Sequence, residues 1–273
     1  MHRLCSLGHV ASTRDLLAAG LTRRELARAV TVGRALRPAR GVYACPHLEP
    51  VQLTAARAGL RLDCVTALAR RGVWSGIRDA RLHLRAQAGR HHGAVPIGAV
   101  VHWAGRHETG EHPLEVSIVD ALLQAMRCLD HDDALACIES ALHLRELDER
   151  GLRRLRELAP RWMRATLARL DRGAQSGLET HARLRLQDAG HRVRTQAIVP
   201  GAGPLDLLVD ECVGVETDGR QFHEATFIAD RSKDITIESW GIRVLRLGSP
   251  HVFDSWPDTL AAIERMVADA RRR

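Results

Sequence analysis

The sequence lacks any apolar run long enough to cross a membrane. No stretch approaches about 18 consecutive apolar residues, and the N-terminal MHRLCSLGHVAS lacks the long apolar segment of a signal peptide. These absences predict a cytoplasmic protein without a membrane partner. Hydrophobic residues make up 45% and charged residues 27% of the chain, which is typical of an ordered globular protein.

The sequence also lacks any Cys-x-x-Cys pair. Its cysteines are widely scattered: Cys5, Cys45, Cys64, Cys128, Cys137 and Cys212. This scatter predicts neither a zinc knuckle nor a disulfide framework, so the cysteines are expected to be reduced core residues. Several histidines likewise show no ligand spacing and are expected in loops or at the surface: His91, His92, His102, His107 and His112.

Lysine is nearly absent, and Lys233 is the only one in the chain. Arginine therefore supplies almost all of the positive charge, and the net charge is +7. Such a surface attracts polyanions, so DNA is the predicted partner. The 273 residues are enough for two or three modules, each with a core of its own.

The stretch from Leu205 to Asp218 reads as two short strands joined by a polar turn. Alternation along the strands places Asp206, Glu216 and Asp218 away from the apolar side. Converging carboxylates repel one another unless a cation lies between them, and such hard oxygen ligands suit Mg²⁺ or Mn²⁺. The alternative is that the three acids lie on the solvated face of an ordinary hairpin.

The residues after this hairpin extend the pattern with Asp218-Gly219, His223, a predicted helix from Phe227 to Trp240 that carries Asp230-Arg231-Ser232-Lys233-Asp234, and Gly241-Ile242-Arg243-Val244-Leu245-Arg246. Together with Asp206 and Glu216 they resemble the Vsr-like branch of the PD-(D/E)XK nuclease superfamily. Only the spacing inside the Asp-Arg element is loose. The resemblance implies a restriction-endonuclease-like domain, a mixed sheet flanked by helices.

The same resemblance implies a Mg²⁺-dependent endonuclease that hydrolyses DNA phosphodiester bonds. Asp206, Glu216 and Asp218 would hold the metal, which polarises the phosphate and lowers the pKa of the attacking water. A glutamate on the preceding helix often joins the site in this superfamily, and Glu179 matches it. Glu179 is equally well explained as the capping-box partner of Ser176.

This chain departs from the superfamily pattern at one catalytic position. The common lysine, two residues after the acid, is replaced by Asp218. Positive charge must come from elsewhere, and Arg231 or Lys233 is expected to steady the scissile phosphate. His223 is expected to help deprotonate the water, because imidazole titrates near neutral pH, although it also reads as a surface histidine in a loop.

The N-terminal region contains two predicted helices, each opened by a capping box. Ser12 with Asp15 opens the first helix, and Thr22 with Glu25 opens the second. A turn at Pro38 to Gly41 between two extended runs completes a winged helix-turn-helix.

This region, with Gly41-Val42-Tyr43 after the wing, is similar to the N-terminal domain of AbiEi-type antitoxins. The resemblance implies DNA binding by arginines of the second helix and the wing: Arg23, Arg24, Arg28, Arg37 and Arg40. The alternative is a protein-interaction module with a solvated basic face.

The predicted fold class is α/β, with three domains. These are a winged helix at residues 1–48, a mostly helical, antitoxin-like connector at 49–172 and a nuclease domain at 173–273. Three helices are expected between Ser117 and Leu158, and Met126 and Trp162 are expected in the core.

Two other functions stay open. One is a non-enzymatic DNA-binding regulator or antitoxin whose nuclease-like domain serves dimerisation or partner binding. The other keeps the chemistry and directs it at RNA or mismatched DNA. A homodimer, a toxin partner and a repair partner likewise stay open.

Overall fold

The computed structural model describes residues 2–76, 80–86, 92–103, 112–217, 233 and 235–272. The chain forms two compact units: the first is Met1–Cys128 with Glu149–Ala159, and the second is Leu129–Asp148 with Pro160–Arg273. The predicted domain boundaries stay predictions, although residues 129–148 and 160–172 pack with the C-terminal unit. In the part of the chain that the structure describes, no helix is both long and apolar enough to span a membrane.

The elements follow one another along the chain in a mixed order of helices and strands. The N-terminal half contains α1 (His2–Ser6), β1 (Val10–Ser12), α2 (Thr13–Ala18), α3 (Arg23–Thr31), β2 (Leu36–Ala39), β3 (Val42–Ala44), α4 (Pro50–Ala58), β4 (Arg61–Leu62), α5 (Cys64–Arg70), β5 (His83–Arg85), β6 (Val100–His102) and α6 (Ile118–Cys128). The C-terminal half contains α7 (His131–His143), α8 (Glu149–Leu158), α9 (Arg164–Ala168), α10 (Gly177–Asp188), β7 (Val193–Val199), β8 (Gly203–Val209), β9 (Val213–Thr217), β10 (Arg243–Leu247), α11 (Ser249–Phe253) and α12 (Trp256–Arg271). A 3-10 turn precedes α9, and residues 235–239 are helical.

The N-terminal region has the two predicted helices, α2 and α3, followed by the β2–β3 hairpin. Both capping boxes are present, Ser12 with Asp15 and Thr22 with Glu25. The hairpin joins β1 in an antiparallel sheet of order β1-β3-β2. Leu26 on α3 is buried in the core under this sheet. The arrangement is compatible with the predicted winged helix.

The middle of the chain is less uniformly helical than expected. The stretch from residue 49 to 72 contains α4 and α5 with β4 between them, and β4 joins β5 and β6 in a small sheet of order β4-β5-β6. The three helices predicted between Ser117 and Leu158 are confirmed as α6, α7 and α8. After α8, a 3-10 turn at Arg161–Met163 leads into α9, which ends at Ala168.

Two expectations about core residues have opposite outcomes. Met126 is 1% exposed, as predicted. Trp162 is 49% exposed, so its placement in the core was wrong. The indole lies in the 3-10 turn and stacks on His131, with ring centroids 5.1 Å apart.

The expectations for the cysteines and histidines also need correction. All six cysteines are free, as predicted, but Cys128 at the end of α6 is exposed. His102 was expected in a loop or at the surface, and it is instead buried on β6. His91 and His107 lie outside the described residues.

The C-terminal unit contains a sheet of order β10-β9-β8-β7. Strands β9 and β10 are parallel and the other neighbours are antiparallel, so the predicted mixed sheet is confirmed. Leu207 and Val215 face a core that includes Leu178 of α10 and Ile263 of α12. The other face packs against Ile237 of the helical segment 235–239. Helices therefore flank both faces, while a restriction-endonuclease-like fold stays a prediction.

The predicted β8–β9 hairpin is present, with Asp210 and Glu211 at its turn. Their φ angles are 47° and 62° and the Cys212 N–H donates to the Val209 carbonyl at 3.0 Å, so they are the two central residues of a β-turn with positive φ at both positions. Such angles are unfavourable for residues other than glycine, and the tight turn fixes the register of the two strands. The hairpin thereby sets which residue of β9 stands beside Asp206.

The expected side-chain alternation along β8 breaks at Asp206. Leu207 faces α10, but Leu205 packs on the opposite side together with Leu208. The irregularity coincides with Gln196 on β7, which has φ of 48°; the register pairs the residues on either side of it but skips Gln196 itself. The prediction that Leu205 and Leu207 share one face was therefore wrong.

Candidate active site

Asp206 lies on β8 at the point where β8 and β9 separate. The register between these strands runs from Val209 opposite Val213 to Leu207 opposite Val215. Beyond that pair, Asp206 Oδ2 accepts the backbone N–H of Thr217 at 2.8 Å and the Thr217 hydroxyl at 3.1 Å. The carboxylate thus replaces a backbone acceptor and holds the end of β9 in place.

Glu216 lies on β9, next to the Thr217 that Asp206 binds and opposite Arg246 of β10. Arg246 Nη2 is 3.3 Å from Glu216 Oε2, and Lys233 Nζ is 2.5 Å from Glu216 Oε1. Glu216 is 8% exposed, so its charge is largely removed from water. Two cations compensate that loss of hydration, which an unpaired buried carboxylate could not tolerate.

Glu179 lies in the first turn of α10 and is 4% exposed. The predicted N-cap is confirmed, because Ser176 Oγ accepts the Glu179 N–H at 3.1 Å. The carboxylate also reaches beyond the cap: Glu179 Oε2 accepts the backbone N–H of Gln175 at 3.0 Å and a hydrogen bond from Gln196 Nε2 at 3.3 Å. Glu179 therefore connects α10 to β7, beyond any role in capping its own helix.

The environment of Glu179 disfavours its charge. Burial raises the pKa of Glu179 above its ordinary value, the hydrogen bond from the Gln175 N–H opposes that shift, and the negative charge of Asp206 raises the pKa further. The effect of Asp206 means that the two carboxylates lie close enough to repel each other. Ionising both acids is costly, and a nearby cation would relieve that cost.

The acids that the structure describes do not form a compact ligand set. Among the described residues, the groups with ligand atoms all within 4.8 Å of one another are Cys64, His83, His102 and Cys128, and Cys5, His9 and Cys45. Asp206, Glu216 and Glu179 are not among them, because Asp206 reaches toward Thr217 while Glu216 is drawn to its two cations. Three predicted site residues lie outside the described residues: Asp218, His223 and Arg231.

The donor chemistry of Asp206, Glu216 and Glu179 fits a hard divalent cation. All three side chains offer carboxylate oxygens, the ligands that Mg²⁺ and Mn²⁺ prefer. The negative charge of Asp206 raises the pKa of Glu179, so a cation near the two carboxylates would relieve their repulsion. Asp206 and Glu216, on neighbouring strands, are the residues that would hold the ion.

Three residues of this site were missed by reasoning from the sequence. Thr217 binds Asp206, Arg246 pairs with Glu216 and Gln196 binds Glu179. Arg246 is the last residue of the element Gly241 to Arg246 that the sequence analysis identified, but its pairing with Glu216 was not predicted. The contact of Gln196 with Glu179 could not be predicted, because strand β7 itself was not predicted.

The arginines proposed to bind DNA lie on the exposed surface of the N-terminal region. On α3, Leu26 faces the core while Arg23, Arg24 and Arg28 are exposed. Arg37 and Arg40 on the β2–β3 hairpin are also exposed, and the Arg37 guanidinium lies 6.0 Å from the centre of the Tyr43 ring. The helix and the hairpin therefore both present positive charge to solvent.

One comparison with known proteins bears on this region. Residues 6–46 match the family described as "Transcriptional regulator, AbiEi antitoxin". The matched residues include α2, α3 and the sheet β1-β3-β2, so the N-terminal part of the expected resemblance is confirmed. No curated protein matches this chain.

Proposed function

We propose that this protein binds DNA through its N-terminal region and hydrolyses phosphodiester bonds with a divalent metal ion in its second unit. The observation that carries the proposal is the set of partly buried acids and cations around Asp206 and the buried Glu216. The similarity of residues 6–46 to transcriptional regulators supports the DNA-binding half.

DNA binding is supported by the charge that α3 and the hairpin expose. A helix-turn-helix places its second helix in the major groove, where arginine contacts bases and phosphates. Arg23, Arg24 and Arg28 occupy the exposed side of that helix. Arg37 and Arg40 would contact the phosphate backbone from the hairpin.

Phosphodiester hydrolysis is supported by the placement of acids beside cations in the second unit. Asp206 and Glu216 would hold a Mg²⁺ or Mn²⁺ ion, which when bound would polarise the phosphate and activate water. Lys233 Nζ stands 2.5 Å from Glu216 and would stabilise the negative charge that develops on the phosphate. Lys233 would thereby supply the positive charge that most members of the superfamily obtain from the lysine that Asp218 replaces in this chain.

Arg246 and Glu179 support this site in different ways. Arg246 pairs with the second oxygen of Glu216 and fixes the orientation of that carboxylate. Glu179 binds Gln196 and carries a charge that repels Asp206, so it would add to the attraction for a cation. Asp218, His223 and Arg231 complete the proposed site as sequence-based expectations.

A non-enzymatic DNA-binding regulator is the second candidate. It is favoured by the match to antitoxin regulators and by the ion pairs of Glu216 with Lys233 and Arg246. Those pairs compensate the buried charge of Glu216 without a metal ion. The second unit would then serve dimerisation or partner binding.

Cleavage of supercoiled plasmid in Mg²⁺ or Mn²⁺ separates the two functions. The wild-type protein should nick the plasmid and Asp206→Asn should not. Glu264→Gln is the matched control, because it neutralises an exposed carboxylate of α12 in the same unit. Cleavage that is equal in the wild-type and Asp206→Asn proteins would point to a contaminating nuclease, and intact plasmid throughout would favour the regulator.

A further inference from the structure

The first unit contains a cluster of two cysteines and two histidines, Cys64, His83, His102 and Cys128. Each residue offers one ligand atom, and the four atoms lie within 4.8 Å of one another. His83 Nδ1 is 3.1 Å from His102 Nε2, and Cys128 Sγ is 3.9 Å from the same His102 nitrogen. These four residues have no place in the proposed DNA-binding or hydrolytic functions.

The distances fit a single tetrahedral metal ion. Zinc lies about 2.0 Å from histidine nitrogen and about 2.3 Å from cysteine sulfur, so tetrahedral geometry places two such nitrogens about 3.3 Å apart and a nitrogen and a sulfur about 3.5 Å apart. The observed separations of 3.1 Å and 3.9 Å lie within about 0.4 Å of these two values. The four side chains therefore need only small adjustments to bind one ion.

The four ligands come from four separate elements. Cys64 is the first residue of α5, His83 begins β5, His102 ends β6 and Cys128 ends α6. Four reactive side chains that are far apart in the sequence thus converge on one point of the fold. Two such side chains often lie close together by chance. Two thiols and two imidazoles at one point match the ligand set of a structural zinc site.

Burial and charge also favour zinc. Cys64, His83 and His102 are buried, with exposures of 0%, 1% and 8%. Two thiolates and two neutral imidazoles cancel the charge of one Zn²⁺ ion, so the loaded site is neutral and is compatible with burial. Without the ion, the buried thiols and imidazoles of the cluster can only contact one another, and these contacts are weaker than bonds to a metal ion.

The surroundings of the cluster hold its ligands in place. Cys64 has φ of 50°, an unfavourable backbone angle for a cysteine, and its N–H donates to the Asp63 carboxylate at 2.8 Å. Asp63 in turn accepts two hydrogen bonds from Arg85, at 2.7 Å and 3.1 Å. Gln124 Nε2 donates to Cys128 Sγ at 3.3 Å, the kind of outer contact that orients a metal-bound sulfur.

We propose that Cys64, His83, His102 and Cys128 bind one structural Zn²⁺ ion. Four protein ligands fill a tetrahedral site and leave no position for substrate, which distinguishes structural from catalytic zinc. The local sheet needs such a support, because β4, β5 and β6 are two to three residues long. The ion would connect this sheet to α5 and α6.

The set Cys5, His9 and Cys45 provides an internal comparison. Its ligand atoms also lie within 4.8 Å of one another, but Cys5 Sγ and Cys45 Sγ are 3.2 Å apart. The described residues supply only three ligands to it, one fewer than a structural zinc site holds. Cys5→Ser is therefore the matched control for removal of a cysteine from the four-ligand cluster.

Elemental analysis of the full-length protein, purified from zinc-supplemented culture, tests the proposal. The wild-type and Cys5→Ser proteins should contain about one zinc per chain, the number that one four-ligand site holds. Cys128→Ser should contain none; Cys128 is exposed, so this variant is the one expected to fold. Replacing zinc with Co²⁺ should give thiolate-to-cobalt absorption and intense tetrahedral bands in the wild-type protein, and both should be lost in Cys128→Ser.

Four results would overturn the proposal: wild-type protein without zinc, zinc retained by Cys128→Ser, zinc lost from Cys5→Ser alone, or iron in place of zinc. Thiol titration of the wild-type protein adds an independent check, since a disulfide between Cys64 and Cys128 would also exclude the site. None of these measurements depends on DNA cleavage, so the zinc proposal and the proposed nuclease function can fail separately.

Discussion

Asp206 Oδ2 accepts both the backbone N–H and the hydroxyl of Thr217, at 2.8 Å and 3.1 Å. One carboxylate oxygen thus anchors the end of β9, and the neighbouring residue, Glu216, carries the other strand acid. These two hydrogen bonds give Asp206 a structural role in addition to its proposed role as a metal ligand. The two roles can be separated, because only the second requires negative charge.

Asp206→Asn and Asp206→Ala should therefore differ in stability. An asparagine oxygen can still accept both Thr217 hydrogen bonds, and the repulsion with Glu179 disappears, so metal-free Asp206→Asn should be as stable as wild type or slightly more stable. Asp206→Ala should lose about 1 to 3 kcal/mol, because the Thr217 N–H loses its acceptor. Urea unfolding without added metal measures the free energy of unfolding of both variants. Equal destabilisation by the two substitutions would show that the charge itself supports the fold.

Lys233 should be required for cleavage and dispensable for DNA binding. Lys233→Met removes the cation beside Glu216 and should reduce the cleavage rate about a hundredfold, the typical cost of losing one charge-stabilising group. Lys233→Arg should retain part of the activity. Rates measured at saturating DNA test this, with binding measured in parallel. A rate unchanged in Lys233→Met would remove this residue from the mechanism.

The raised pKa of Glu179 predicts a pH-dependent effect of Glu179→Gln. The folded protein takes up this proton at a higher pH than the unfolded chain, so ionised Glu179 costs stability above its folded pKa. In metal-free protein, Glu179→Gln should be the more stable form at pH 7.5. Its advantage should shrink as the pH falls through the raised pKa and vanish below about pH 4, where the residue is protonated in both states. Urea unfolding across this range provides the measurement, and a difference that does not change with pH would contradict the assignment.

The sequence predicted features that depend on local patterns. Two capping boxes, the polar turn at Asp210 and Glu211 and the alternation of Val213 and Val215 each arise from short-range preferences, and all are present. The mixed sheet with helices on both faces was expected from the resemblance to the Vsr-like nucleases. The structure keeps these locally preferred conformations because the packing of the fold favours the same conformations.

Features that depend on distant partners were not predictable. The break in alternation at Leu205 coincides with the positive φ of Gln196 in a neighbouring strand, and Glu216 pairs with Lys233 and Arg246 from other elements. The four-ligand cluster was missed for the same reason, since its residues share no sequence spacing and meet only through the fold of the first unit.

DNA binding should depend on the exposed arginines of α3. Arg23→Ala with Arg24→Ala should weaken binding and reduce the slope of log K against log salt by about 0.9 for each phosphate that the variant no longer neutralises. Arg153→Ala with Arg156→Ala is the control, because it removes the same charge from exposed positions of α8 in the same unit. Equally weakened binding in the two double variants would mean that overall charge, and not this helix, drives binding.

The proposed hydrolysis requires that Asp206 and its neighbouring acids bind a divalent ion. Calorimetric titration of Mg²⁺ or Mn²⁺ into zinc-loaded protein, with and without DNA, tests it most directly, since the proposed zinc site is then already filled. We expect binding at millimolar metal in the wild-type protein and in Glu264→Gln, and no binding in Asp206→Asn. Folded wild-type protein that binds neither ion under any of these conditions, or Asp206→Asn that binds as well as wild type, would contradict it.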